Sequence, residues 1–284
     1  MSNLRRRCRS YVLASREHKI TSEARTACRT ACRAEPVTAD RRTRRTVAPA
    51  ACSTVLAMMR AEVLRGLLNS GRDYDVPRLE AVAAQLGLPT ADVLVVAGHP
   101  VPGSLLPPDR DTRALHTFAH RVTHCNHEQM ATLRELLLTL PREGEIPQPR
   151  MPADPTGTDP FPAVLGGLML NRGFDLQSFP FVGLSMSTIK GMLAGRWHRY
   201  SQLQAVAGPL CWRTADLATL AGEPLRALDH RTMCHHLGAV LLAAVPATTT
   251  QLLHAAHEAD RMSRRQDRPT GTPIPHGVYD CPYA

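Results

Sequence analysis

Aromatic residues are scarce in this sequence. Phenylalanine, tryptophan and tyrosine make up 4% of the 284 residues, although 43% of all residues are hydrophobic. Alanine, leucine, valine and methionine must therefore fill the core, and such a composition favours helices. No stretch of useful length alternates apolar and polar residues as a half-buried strand does. The fold class predicted is all-α.

Long apolar runs are also missing. No stretch approaches the roughly 18 consecutive apolar residues that indicate a membrane-spanning helix. No apolar segment follows the basic N-terminal residues, as it would in a secretory signal peptide. We therefore expect a cytoplasmic location. The eight cysteines do not have the paired spacing of a disulfide framework, so reduced thiols are expected.

Motifs of the common enzyme classes are absent as well. The sequence has no glycine-rich phosphate-binding loop, no nucleophile elbow and no HExxH zinc motif. Neither an enzymatic activity nor a cofactor is therefore predicted, and the function must be sought in binding.

Positive charge is concentrated at the N-terminus. Residues 1–50 contain thirteen basic and four acidic residues, whereas the remainder of the chain contains 21 of each. This segment has almost no apolar periodicity, which predicts disorder. It is interpreted as an unstructured leader, and the alternative is a basic arm that binds DNA phosphates.

An internal repeat organises the rest of the chain. LEAVAAQLGLPTADVLVVAGHP (79–100) aligns without a gap on LQAVAGPLCWRTADLATLAGEP (203–224), with eleven of 22 positions identical. In both copies apolar residues recur at the spacing of one helix face. A second helix should follow, capped by Thr90 or Thr214 and ended by Gly98 or Gly222. The apolar positions are Leu79, Val82, Ala83 and Leu86 in the first copy, and Leu203, Val206, Ala207 and Leu210 in the second.

The second copy continues further upstream than the first. A third helix is predicted over 186–195, with Ser185 as its N-cap and Gly195 as its end. In the first copy only residues 63–72 correspond to this helix. The other predicted elements of the second copy are a first helix over 161–173, an irregular second helix over 175–182 and a turn at Gly183-Leu184-Ser185.

The stretch 161–225 resembles the phage-repressor-like helix-turn-helix domains of the XRE type. The resemblance rests on the Gly183-Leu184-Ser185 turn, on STIKGMLAG, and on the two helices of the repeat. In that family five helices pack together and the third enters the DNA major groove. The resemblance implies a sequence-specific transcriptional regulator whose partner is double-stranded DNA. Residues 63–100 match the second half of the pattern, which makes the first copy an eroded module.

A helical wheel of residues 186–195 separates an apolar side from a thin polar side. The resemblance implies that the polar side binds DNA: its small residues allow close approach, its polar side chains reach base edges, and the helix start suits a phosphate. One such domain buries too little surface for useful specificity, so a homodimer or a partner protein is expected. The DNA-contacting residues predicted are Ser185, Ser187, Thr188, Lys190, Gly191, Ala194, Arg196, His198 and Arg199.

Histidines offer a competing chemistry. HTFAHRVTHCNH lies in a segment, 109–140, that is predicted to be one helix, and its four histidines share one side, expected to face solvent. Imidazoles one turn apart can chelate Zn²⁺, Ni²⁺ or Cu²⁺. The preferred interpretation is a solvated polar face, so no metal site is predicted. The residues concerned are His116, His120, His124 and His127, with His230, Cys234, His235 and His236 as further candidate ligands.

The function predicted is therefore that of an all-α, DNA-binding transcriptional regulator. Two alternatives stay open: a helical protein-interaction module with a vestigial helix-turn-helix, and, less favoured, a histidine-based metal-responsive regulator. Trp197 and Trp212 are expected in the core, and Thr248 with Gln251 should form a capping box. The predicted segments are 1–50 (basic arm or leader), 51–103 (eroded helix-turn-helix module), 104–140 (connecting helix), 141–160 (Pro-rich linker), 161–225 (DNA-binding domain), 226–268 (C-terminal helices) and 269–284 (disordered tail).

Overall fold

The computed structural model describes residues 47–151, 159–196, 199–224 and 235–264. These residues form eleven α-helices and three short 3-10 helices; within them there is no β-strand, only an isolated bridge between Val101 and Arg150. The predicted all-α class is therefore confirmed. The helices are α1 (Val47–Ser70), α2 (Val76–Leu86), α3 (Thr90–Val96), α4 (Thr112–Val122), α5 (His127–Thr139), α6 (Phe161–Leu170), α7 (Met186–Leu193), α8 (Tyr200–Ala207), α9 (Thr214–Leu220), α10 (His235–Ala243) and α11 (Thr249–Arg264).

The chain divides into two units, Met1–Gly66 and Leu67–Ala284. In the first unit the described residues belong to α1, on which Met59, Ala61 and Leu64 are buried. The segment 63–72, predicted as the counterpart of a separate third helix, is the end of this 24-residue helix and the 3-10 turn that follows it. The second unit contains α2 to α11.

The repeated segments fold into the same pair of helices. α2 begins 124 residues before α8, and α3 begins 124 residues before α9. Gly98 and Gly222 follow these pairs with left-handed φ angles of 72° and 71°, as predicted. The predicted apolar faces are confirmed, because all their residues are buried except Val82, which is half-buried.

The predicted capping role of Thr90 and Thr214 is wrong. Both residues are already helical, and the N-cap positions are held by Pro89 and Arg213, neither of which makes a side-chain capping bond. A capping side chain reaches the helix amides from an extended backbone conformation. In both copies the residue with that conformation is the one before the threonine. Its ψ angle is 137° at Pro89 and 138° at Arg213.

The prediction of a single helix over 109–140 is also wrong, because the segment forms α4 and α5. Asn126 starts the second helix by accepting a hydrogen bond from the Gln129 amide at 2.9 Å. The Gln129 side chain in turn accepts one from the Asn126 amide at 3.0 Å. This capping box satisfies amides that a continuous helix would have bonded to its preceding turn.

α4 and α5 pack with the two C-terminal helices. α4 lies against α11, and α5 lies against both α10 and α11. The predicted capping box of Thr248 and Gln251 is present at the start of α11. The segments predicted as a connecting helix and as C-terminal helices therefore join in one four-helix group.

None of the helices in the described ranges is long and apolar enough by itself to cross a membrane. α2 and α3 reach that length and composition only as a pair, and they are bent by 115° at the break between them. The apolar helix α6 has ten residues, and Phe161, Leu165 and Leu168 on it are fully buried.

Candidate nucleic-acid interface

The helix expected to contact DNA, α7, is short and capped at both ends. The Ser185 Oγ accepts a hydrogen bond from the Thr188 amide at 3.2 Å, which confirms the predicted N-cap. At the other end Gly195 has a φ of 64°, and the amides of Gly195 and Arg196 donate to carbonyls of the last helical turn. This is a Schellman motif, which requires a left-handed residue and is therefore typical of glycine.

The underside of α7 anchors it on α6. Ile189 and Met192 are fully buried, and Leu193 is half-buried. Gly166 of α6 faces Leu193, and a methyl group at this position would make an ordinary contact of 3.6 Å with the leucine Cδ2. The position of α7 therefore depends on that of α6.

The outer face of α7 carries most of the predicted DNA-contacting residues. Ser187, Lys190 and Ala194 are exposed, and Thr188 is half-buried. The Ser185 Oγ lies 2.8 Å from the Ser187 hydroxyl and 2.9 Å from the Thr188 hydroxyl, so three hydroxyls cluster at the helix start. The structure thus places the hydroxyl groups at the start of α7 and an exposed cation, Lys190, in its last turn.

The loop after α7 adds two cations. Arg196 and Arg199 are exposed on either side of residues 197 and 198. The predicted roles of His198 and Trp197 lie outside the described residues.

Gly191 does not lie on the exposed face. It is buried, so its predicted place on the polar, outer side of the helix is wrong. A wheel places residues around a helix axis but contains no information about the chain beyond the helix end. Here the chain folds back over the last turn, and the Arg196 amide donates to the Gly191 carbonyl at 3.1 Å.

The predicted irregular second helix, 175–182, is reduced to a 3-10 turn at Pro180–Val182. Proline has no amide hydrogen to donate, so Pro180 cannot continue an α-helix from the preceding residues. Phe179 is fully buried and meets the Phe174 ring edge-on, with 5.5 Å between the ring centroids. This segment packs as core.

The end of α6 is held by a buried network centred on Asp92, a residue of the first copy that the sequence analysis did not predict to matter. Its carboxylate is fully buried and pairs with the Arg172 guanidinium, with 2.7 Å between Nη2 and Oδ2. It also accepts hydrogen bonds from Asn171 at 2.9 Å and from the Trp212 indole at 2.7 Å. Trp212 is thus a core residue, as predicted. The only sequence signal for Asp92 is its identity in both copies of the TAD motif.

Two further contacts fix α6 beside α3. A methyl group at Gly167 would lie 2.5 Å from the Val95 side chain, so only glycine allows this approach. Arg150 donates to the Gly167 carbonyl at 3.1 Å and to the Asn171 side chain, and burial lowers the pKa of its guanidinium. The first copy therefore supports the helix on which α7 rests.

Arg110 connects the same region to the four-helix group. Its guanidinium donates to the carbonyls of Ala244, Val245 and Ala247 after α10, at 2.7–3.1 Å. Its other terminal nitrogen donates to the Arg172 carbonyl at 2.7 Å. Burial lowers its pKa to about 10. This side chain satisfies carbonyls that the end of α10 leaves without helical partners.

The histidines do not form the continuous solvent-facing row that was predicted. His116 is only 23% exposed, and its Nε2 forms hydrogen bonds with Asp175 at 3.0 Å and with Ser178 at 2.9 Å. These residues are not a hydrolase triad, because the carboxylate and the hydroxyl share one ring nitrogen and Ser178 is buried. The row is interrupted because the helix break lies between His124 and His127.

The remaining histidines form two close pairs. The rings of His120 and His124 are 5.0 Å apart, and those of His127 and His236 are 4.6 Å apart. Within the described ranges no group of three or more His, Cys, Asp or Glu residues is arranged to hold a metal ion. His230, Cys234 and the side chain of His235 lie outside these ranges.

Cys125 and Cys211 are both free. Burial raises the pKa of the Cys125 thiol to about 11 and also raises that of Cys211. Thiols with raised pKa values are poor nucleophiles and poor metal ligands at neutral pH.

The exposed face of α7 is therefore the candidate functional surface among the groups described above. No family model, curated protein or solved structure matches this chain.

Proposed function

We propose that the protein is a sequence-specific DNA-binding regulator of transcription that uses α7 as its recognition helix. The observation that carries this proposal is the charge around α7. No acidic residue occurs between Asp175 and Asp216, although the chain beyond residue 50 has equal numbers of acidic and basic residues. A segment that carries cations and no carboxylates attracts a polyanion. The basic residues in this interval are Lys190, Arg196, Arg199 and Arg213.

The geometry supports two kinds of DNA contact. Ser187 and Lys190 are exposed on α7, where they suit the base edges of the major groove. The first-turn amides of a helix have no intrahelical acceptors, so the start of α7 beside Ser185 suits a phosphate. Arg196 and Arg199 follow the helix and suit the DNA backbone.

The test is the substitution Lys190→Ala. Lys190 is exposed, so its loss should leave folding nearly intact. If Lys190 contacts a phosphate, affinity should fall equally for all sequences and the log–log salt slope should shrink by about 1. If it contacts a guanine, the loss should be about 1–3 kcal/mol and confined to one base pair. Fluorescence anisotropy with DNA selected from a random library, at several salt concentrations, measures both.

Two controls accompany this test. Ile189→Ala should destabilise the protein by several kcal/mol, because it leaves a cavity, and should lose binding through unfolding. Arg113→Ala removes an exposed cation from α4, outside the acid-free interval, and should bind like the parent. The proposal is wrong if the parent binds no DNA, or if Lys190→Ala, Thr188→Ala and Ser187→Ala all bind like the parent. The protein-interaction module would then be the better hypothesis.

A further inference from the structure

The duplication extends beyond the repeat that is visible in the sequence. α4 ends at Val122 and α10 at Ala243, an interval of 121 residues. α5 begins at His127 and α11 at Thr249, an interval of 122 residues. These intervals nearly match the 124 residues that separate α2 from α8 and α3 from α9. Each copy therefore contains four helices in the same order.

The starts of α5 and α11 are built in the same way. Asn126 and Gln129 form a capping box before α5, and Thr248 and Gln251 form one before α11. The buried faces of the two helices also correspond at an interval of 122 residues. The corresponding buried residues are Met130 and Leu252, Leu133 and Ala255, and Leu137 and Ala259.

The two copies contact each other reciprocally. Gln129 of the first copy donates to the Met262 carbonyl near the end of α11 at 2.7 Å. Gln251 of the second copy donates to the Pro141 carbonyl, just after α5, at 2.9 Å. Likewise α4 packs on α11, and α5 packs on α10. Exchanging the copies converts each contact into the other to within one residue, which is the property of a two-fold interface between identical subunits.

We infer that the chain is a fused dimer of one helical module. Helices α4 and α5 of the first copy bind α10 and α11 of the second through the surface by which two separate chains would associate. The second subunit expected from the sequence is therefore supplied within the same chain, and the protein is a monomer in solution.

The copies differ on the helix face that is proposed to contact DNA. At the 124-residue shift, the counterparts of Ser187, Thr188 and Lys190 are Val63, Leu64 and Gly66. The first copy has thus lost the polar side chains of the recognition face. One chain should therefore bind one asymmetric half-site, an expectation that rests on the proposed function. Helix-turn-helix dimers, in contrast, bind two symmetric half-sites.

Light scattering after size exclusion tests the fused dimer without DNA. A mass of 31.1 kDa is expected at all concentrations, and a mass of about twice that value would overturn the inference.

A second experiment places a protease site within residues 152–158, so that the folded chain can be cut between the copies. The fragments should stay together in a 1:1 complex, and their separation would likewise overturn it.

A matched pair of variants locates the interface. Ala255 is fully buried on α11 and its neighbour His254 is exposed. After cutting, Ala255→Arg should weaken the association of the fragments, which the contacts of Asp92 also join, whereas His254→Arg should leave it unchanged; the opposite result, or equal association in both variants, would place the interface elsewhere. Gln129→Ala and Gln251→Ala test the same symmetry in uncut protein. Each should lower the melting temperature by a similar amount, about 2–4 °C, and an effect of only one would contradict the two-fold relation.

DNA titration tests the half-site. One chain per duplex and a footprint without symmetry are expected, and two chains on a palindrome would overturn the inference. If the uncut protein is a monomer with associating fragments but binds no DNA, the proposed function fails while the fused dimer stands.

Discussion

Asp92 is a fully buried carboxylate held by Arg172, Asn171 and Trp212. Transfer of both charges of the ion pair from water into the core is unfavourable, and their attraction with the surrounding hydrogen bonds offsets that loss only partly. Removing one partner leaves the other charged and uncompensated in the core. The exposed pair of Arg121 and Asp260, with Arg121 45% exposed, does not have this problem.

We therefore expect Asp92→Leu to destabilise the protein by about 3–5 kcal/mol, because Arg172 would remain charged. Adding Arg172→Met should recover most of that loss, since no buried charge is left. Arg121→Ala should change stability by less than about 1 kcal/mol. Urea denaturation followed by circular dichroism measures all three. A double variant as unstable as Asp92→Leu would show that the charge is not the cause.

At the scale of elements, α6 contains two adjacent glycines whose surroundings differ. Gly166 faces α7, where a methyl group would make an ordinary 3.6 Å contact with Leu193. Gly167 faces α3, where a methyl group would overlap the Val95 side chain at 2.5 Å. The surroundings of Gly166 leave room for a side chain. Those of Gly167 do not, because α3 and α6 approach each other closely at that point.

Gly166→Ala should consequently stabilise the protein by up to about 1 kcal/mol, because alanine is the better helix former. Gly167→Ala makes the same change one residue later and should destabilise it by about 1–3 kcal/mol through overpacking. Thermal melts of both variants give the comparison. Equal shifts of the melting temperature would mean that α3 and α6 are not packed as described.

At the scale of the whole molecule, the charge excess lies in residues 1–46, outside the residues that the structure describes. Residues 1–46 hold thirteen basic and four acidic residues, so their removal takes the net charge from +9 to zero. We expect this deletion to leave the melting temperature and the sequence-specific binding unchanged, as a leader would. Melts and anisotropy titrations on the parent and the shortened chain provide the measurement. A large loss of specificity would show that the segment reads DNA.

The sequence by itself determined the features that depend on near neighbours. The all-α class, the repeated helix pairs and the caps at Ser185 and Gly195 follow from composition, the 3.6-residue period and the backbone preferences of a few residues. The break before α5 was also readable in principle, because Asn126 and Gln129 have capping-box spacing. The apolar period continued across the break, since α4 and α5 face one core, and so concealed it.

Only the tertiary structure decided the features that join distant residues. Asp92 and Arg172 are 80 residues apart, and Gln129 and Met262 are 133 residues apart. No local pattern selects such partners, because a buried carboxylate or amide is satisfied by whichever donor or acceptor the packing brings to it. The burial of Gly191 depended in the same way on the chain that folds back over α7. The repeat is detectable in the sequence, whereas the reciprocal contact between its copies is visible only in the three-dimensional packing.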